Sequence, residues 1–163
     1  MLQKRDEIER YKGKIWIVGT LKFTDYMFGC LRILERYDPK GHKLVMEQVH
    51  TITKTREYNA HPTYCAGACV FQKEIMRDSP WYPASLLVHE AQHGKQFPSP
   101  VCCADSEKGP MREQIRCLKE LREIKKYRKD IDKTIKRFES KEFWEEKWYM
   151  WKPKFCEKCG QRF

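Results

Sequence analysis

From Met111 to Met150 the chain holds neither glycine nor proline, and it is dense in Glu, Lys, Arg, Leu and Ile. Such residues lose little side-chain freedom in a helix, and nothing in the run interrupts the backbone hydrogen-bond ladder. The C-terminal part is therefore expected to be helical, and any sheet must come from the residues before it. Helical phase limits how that segment can run. With Met111 at 0° and about 100° per residue, Ile115, Leu118, Leu121 and Cys117 project near 40°, −20°, −80° and −120°. Ile131, Ile135 and Phe138 project near −160°, −120° and 180°, roughly 110° from the first stripe. One straight helix cannot seat both stripes on one flat partner, so a break near Lys125–Lys129, or a second partner, is expected.

Upstream, the punctuation is denser. Ile15–Val18 reads as a short strand, and Tyr26, Cys30, Ile33, Leu34 and Tyr37 recur at helical spacing. Asp38-Pro39 reads as an N-cap followed by proline at the first helical position, opening a helix through Leu44, Val45 and Val49. Thr51 to Gln72 is rich in Thr, Tyr, Val and Ile and reads as strands. One covers Thr51 to Thr55; another runs from Thr63 to Gln72, with Gly67 marking a bulge or a close backbone approach. Ser79-Pro80 repeats the cap-then-proline pattern ahead of Trp81–Phe97, and Pro98 and Pro100 close that helix. The expected fold class is α+β, with a short sheet and a long helical C-terminal extension.

Leu86-Leu87-Val88-His89-Glu90-Ala91-Gln92-His93 stands inside the helix that Ser79-Pro80 opens. Residues four apart share a helix face, so His89 and His93 can offer two imidazoles to one metal ion. Glu90 then lies beside the metal without bonding to it, where it can take a proton from an activated water and pass it on. The alternative is a pair of histidines with no metal between them.

The HExxH segment resembles the zincin metallopeptidases, whose active-site helix carries this motif after an apolar run. The resemblance covers the five motif residues and, more loosely, the strand–helix–loop–helix order from about Thr51 to Glu123. It implies zinc, Zn2+, as the cofactor and peptide-bond hydrolysis as the activity. It also implies that the strand before the active-site helix, around Ala66 to Gln72, pairs with extended substrate; an ordinary buried strand is the rival reading.

A catalytic zinc wants a third protein ligand and an open water position. The five histidines are His42, His50, His61, His89 and His93, so none follows the motif in this sequence. That leaves a downstream carboxylate, the gluzincin or aspzincin pattern, among Asp105, Glu107, Glu113, Glu120 and Glu123. Glu107 projects near −40°, inside the apolar stripe, provided the helix begins that early with Pro110 in its first turn. Gly109-Pro110 more often marks a loop. Glu113 projects near 200° on the polar side, beside Glu120 and Glu123. It has instead a thermolysin-like distance from the second histidine. Glu107 is favoured, because a carboxylate on a core face needs a cation; Glu113 stays as its rival. A donor for a transition-state oxyanion could be Tyr58, His61, Tyr64 or Tyr82, and nothing separates them.

Composition bears on compartment and partners. Eight cysteines in a chain with no apolar leader after a charged N-terminus suggest reduced thiols or metal ligands in a cytoplasmic setting. Apolar runs are far shorter than the ~20 residues of a membrane span. Cys156-Glu157-Lys158-Cys159-Gly160 looks like one knuckle of a structural zinc site, which Cys65, Cys69, Cys102 or Cys103 could complete. Cys30 and Cys117 fall at apolar helical positions and read as core. The net charge is +10, and from Met111 onward 17 Lys and Arg stand against 10 Asp and Glu. With aromatics interleaved from Tyr127 to Trp151, that segment suits nucleic acid, or a solvated helix whose aromatics pack on the core.

The expected organisation is residues 1–124 as a zincin-like metallopeptidase domain and 125–163 as a basic helical extension ending in the CxxC knuckle. His89, His93 and Glu107 would hold the metal, Glu90 would be catalytic, and a protein or peptide would be the substrate. The alternative function is a nucleic-acid or protein-binding module with structural zinc and a non-catalytic HExxH.

Overall fold

A computed structural model describes residues 7–55, 63–65, 67–96 and 104–145. The chain runs in the order β1 (Glu7–Tyr11), β2 (Ile15–Gly19), α1 (Leu21–Tyr37), α2 (Pro39–Gln48), β3 (Thr51–Thr55), β4 (Thr63–Cys65), β5 (Ala68–Gln72), α3 (Trp81–Gln96), α4 (Ala104–Leu121) and α5 (Arg128–Phe138), and residues 141–145 are helical again. The fold class is α+β.

The strands form one mixed sheet in the order β1-β2-β3-β5-β4. β2, β3 and β5 run parallel, and the two outer strands are antiparallel to their neighbours. β1 escaped sequence reading because it has little apolar signal: only Tyr11 is buried, and Ile8 is 64% exposed. The turn between β1 and β2 places Lys12 and Gly13 at positive φ, and Lys14 N–H donates to the Tyr11 carbonyl at 3.0 Å. That turn hand matches the twist of an antiparallel pair.

Gly67 does not bulge a continuous strand. It turns the chain between β4 and β5 at φ +87, a conformation that side chains rarely adopt. Its carbonyl accepts from both His50 N–H (2.7 Å) and Thr51 N–H (3.1 Å), and a Cβ there would meet His50 Nδ1 at 2.6 Å. Of the two readings of the Ala66 to Gln72 strand, the structure shows the inner strand: β5 pairs with β3 along its length and with β4 at Ala68–Val70, while β1 and β4 are the outer strands among the described residues.

One core joins the sheet to the helices. α1 contributes Phe23, Met27, Cys30, Leu31 and Leu34, the sheet Ile15, Ile17, Ile52, Cys69 and Phe71, and α3 Leu87, Val88 and Ala91. Asp38 caps α2 as expected, its Oδ1 accepting from Gly41 N–H at 3.0 Å. The Gly- and Pro-free segment does break: α4 ends at Leu121, a 3₁₀ turn covers Lys125–Tyr127, and α5 follows. Ile131, Ile135 and Phe138 of α5 join the same core as Leu118 and Leu121 of α4. Cys30 and Cys117 are fully buried.

Candidate metal centre

α3 starts where Ser79-Pro80 suggested, with Tyr82 N–H bonded to the Ser79 carbonyl at 2.9 Å and Ala84 N–H to that of Pro80 at 3.2 Å. Its apolar face, Leu87, Val88 and Ala91, is wholly buried. That packing fixes the rotation of the helix, and with it the direction of His89 and His93 toward α4.

α4 begins at Ala104, a turn earlier than the sequence suggested, so Pro110 lies inside the helix rather than in its first turn. Proline there removes one backbone donor. Gly109 beside it gives room for α3: a Cβ at Gly109 would sit 2.6 Å from Gln96 Nε2. The two helices are also tied by a buried polar contact. Gln114 donates to Ser85 Oγ at 3.1 Å, and Ser85 Oγ donates to the Tyr82 carbonyl at 2.8 Å.

Glu107, on the early part of α4, faces the two histidines. His89 Nε2 is 3.2 Å from its Oε2, His93 Nε2 is 3.3 Å from its Oε1, and the two imidazole nitrogens are 3.3 Å apart. Ligand atoms from all three residues lie within 4.8 Å of one another, so the group could hold a metal ion. Among the described residues it is the one cluster that could. His89 is 8% exposed, and its Nδ1 is buried without a partner among the described residues. Glu90 is 4% exposed and sits beside the cluster, close enough for its charge to act on His93 and on the Cys69 thiol.

The electrostatics suit a cation. Burial alone would raise the Glu107 carboxyl, but hydrogen bonds from His89 and His93 and their charge hold it down at about 2. Burial alone would lower His93, and its hydrogen bond to Glu107, with the charges of Glu107 and Glu90, raises it instead. Two imidazoles and an ionised carboxylate are a donor set for a borderline divalent metal.

The other sequence candidates fall elsewhere. Glu113 is not free on a solvated face, which corrects the sequence reading. Its Oε2 accepts from Arg116 Nε at 2.7 Å, and Lys40 is 3.6 Å from its Oε1. Arg116 in turn grips the buried Asp38 with both terminal nitrogens, at 2.7 and 2.9 Å. Tyr82 stacks edge-on against Trp81, two helical turns before His89. Cys69 is a buried free thiol on β5. Tyr58, His61, Cys102, Cys103, Cys156 and Cys159 lie outside the described residues, as do the side chains of Tyr64, Cys65 and Asp105.

The Asp38–Arg116 pair was invisible in the sequence, where Asp38 reads only as a cap. Burial would raise the Asp38 carboxyl, yet Arg116, the Gly41 N–H and Cys117 together hold it below the ordinary value. A carboxyl whose folded value is depressed stabilises the fold above its unfolded value, about 3.9, and that contribution fades as pH falls through the folded value. Arg116→Ala should strand a buried carboxylate and cost about 3–5 kcal/mol by denaturant titration at neutral pH, an effect that shrinks on acidification. A loss under about 1 kcal/mol would mean that the pair does not anchor α4 to α2.

No family model, no curated protein and no solved structure matches this chain, so its chemistry has to be read from the geometry of its own residues.

Proposed function

We propose that the chain is a zinc-dependent metallopeptidase of the gluzincin kind, with His89, His93 and Glu107 as ligands and Glu90 as general base and acid. One observation carries the reading. Zinc held tetrahedrally with bonds of about 2.0–2.1 Å requires its ligand atoms to stand about 3.3–3.4 Å apart. The two imidazole nitrogens stand at that separation, 3.3 Å, and each faces its own oxygen of Glu107, Oε2 at 3.2 Å from His89 and Oε1 at 3.3 Å from His93. Three protein ligands, the number found among the described residues, leave a fourth position open, whereas structural zinc is closed by four. That difference, and a buried acid beside the cluster, favour hydrolysis over a binding module with structural zinc.

Bound zinc would supply a Lewis acid with a position open to water and to a peptide carbonyl. The remaining work falls to the chain. Glu90, buried and outside the ligand set, accepts the proton of the attacking water and returns it to the departing amine. Its burial keeps competing solvent away, and the α3 backbone holds it one residue from His89. Strand β4, outermost on that side among the described strands, would receive an extended peptide by strand addition along its outer backbone groups.

The full chain, loaded with zinc and incubated with a mixture of unstructured peptides, should cleave peptide bonds. Cleavage should stop on adding a zinc chelator and return when zinc is restored. Cleavage indifferent to the chelator would overturn the proposal.

A further inference from the structure

Helix α5 has its core side fixed by Ile131, Ile135 and Phe138, none more than 8% exposed. At about 100° per residue, Lys129, Lys133 and Lys136 fall within about 60° of one another and directly opposite that stripe. All three are exposed, and none has a carboxylate partner among the described residues. The nearby acids are mostly engaged elsewhere: Arg122 holds Asp132 at 2.5 Å, and Lys119 holds Glu139 at 2.7 Å. Asp130 sits in the first turn of α5, where the helix dipole favours an anion.

Such sorting has a cost. Like charges four apart on a helix repel, and Lys129 and Lys133 are so placed. We infer that α5 is a docking surface for the phosphate backbone of double-helical nucleic acid. Seven residues of helix rise about 10 Å, and about 10 Å of duplex axis carries roughly three phosphates per strand, one for each lysine. The net charge of +10 adds attraction at longer range.

Two observations select duplex nucleic acid over other polyanions. Among the described residues of the segment, Phe138 and Phe143 are buried, at 8% and 6% exposure, and Tyr127 and Trp144 pack against the core, so none of these aromatics stands on the lysine ridge to stack on unpaired bases. The lysine ridge also lacks the exposed apolar side chains with which a helix enters a membrane interface. The surface does not rest on the metal centre, and its failure would leave the proposed hydrolysis untouched.

The test is fluorescence anisotropy of the full chain with a short labelled DNA duplex of mixed sequence, over a series of salt concentrations. Lys129→Gln/Lys133→Gln/Lys136→Gln should weaken binding roughly a hundredfold and lower the slope of log affinity against log salt by about 3. Lys14→Gln/Lys22→Gln/Lys43→Gln removes the same charge elsewhere and should change affinity far less. If the ridge triple proved unfolded by circular dichroism, Lys133→Gln alone should still reduce the slope by about 1. Equal losses in the two triples would overturn the inference, since only net charge would then matter. So would tighter binding to a single strand of the same length, or ridge-dependent binding to phosphatidylserine vesicles without binding to the duplex.

Discussion

Glu90→Gln should abolish peptide hydrolysis while leaving zinc content and melting temperature close to those of the unaltered chain. The carboxylate is buried beside His89 and outside the cluster that could hold a metal, so its replacement removes a proton carrier and not a ligand. Gln has nearly the same shape and keeps one acceptor oxygen, which limits any repacking. General acid–base catalysis contributes about 10²–10⁴-fold, and one residue acting in both proton transfers should lose at least that much. The rate of peptide cleavage and the zinc bound per chain need to be measured on the same sample. If Glu90→Gln lost zinc in step with activity, Glu90 would be holding the metal and its assigned role would be wrong.

The second large effect concerns the third ligand. Glu107→Ala should weaken zinc binding by more than about a hundredfold, since even partners behind a ligand are worth 10–100-fold. Its two oxygens face His89 and His93 at 3.2 and 3.3 Å, and no other described carboxylate joins the cluster. Glu113→Ala should leave zinc affinity unchanged and instead cost about 1 kcal/mol of stability by loosening Arg116. Competition with a chromogenic chelator reads the first effect and denaturant titration the second. The reverse outcome, with Glu113→Ala damaging affinity and Glu107→Ala silent, would return the choice to sequence spacing.

Helical phase sets Glu107 on the face of Met111, Leu118 and Leu121 and Glu113 off it, because a helix turns by a fixed angle, and the structure brings Glu107 to His89 and His93. It did not show what Glu113 does. That role depends on Asp38, far away in sequence, being buried by α2 and needing a cation. Cap-then-proline signals located α2 and α3 well, since they act within a few residues. β1 and the Gly67 turn were not legible for the opposite reason. β1 is ordered mainly by pairing with β2, and Gly67 serves a contact with His50 across the sheet. The sequence leaves the start of α4 open, because Gly109-Pro110 ordinarily breaks a helix. Here the glycine admits Gln96 of α3, so tertiary packing outweighs the local signal.

In the proposed centre, His89, His93 and Glu107 hold a zinc ion with one position left for water. Zinc K-edge absorption of the full chain bearing Cys156→Ser and Cys159→Ser reads that coordination, because nitrogen and oxygen neighbours are distinguished from sulfur by bond length. The expected spectrum shows one zinc per chain with about four light neighbours near 2.0 Å, two of them imidazoles, and no sulfur at about 2.3 Å. A sulfur shell, or a protein that retains no zinc, would rule out a centre built from His89, His93 and Glu107.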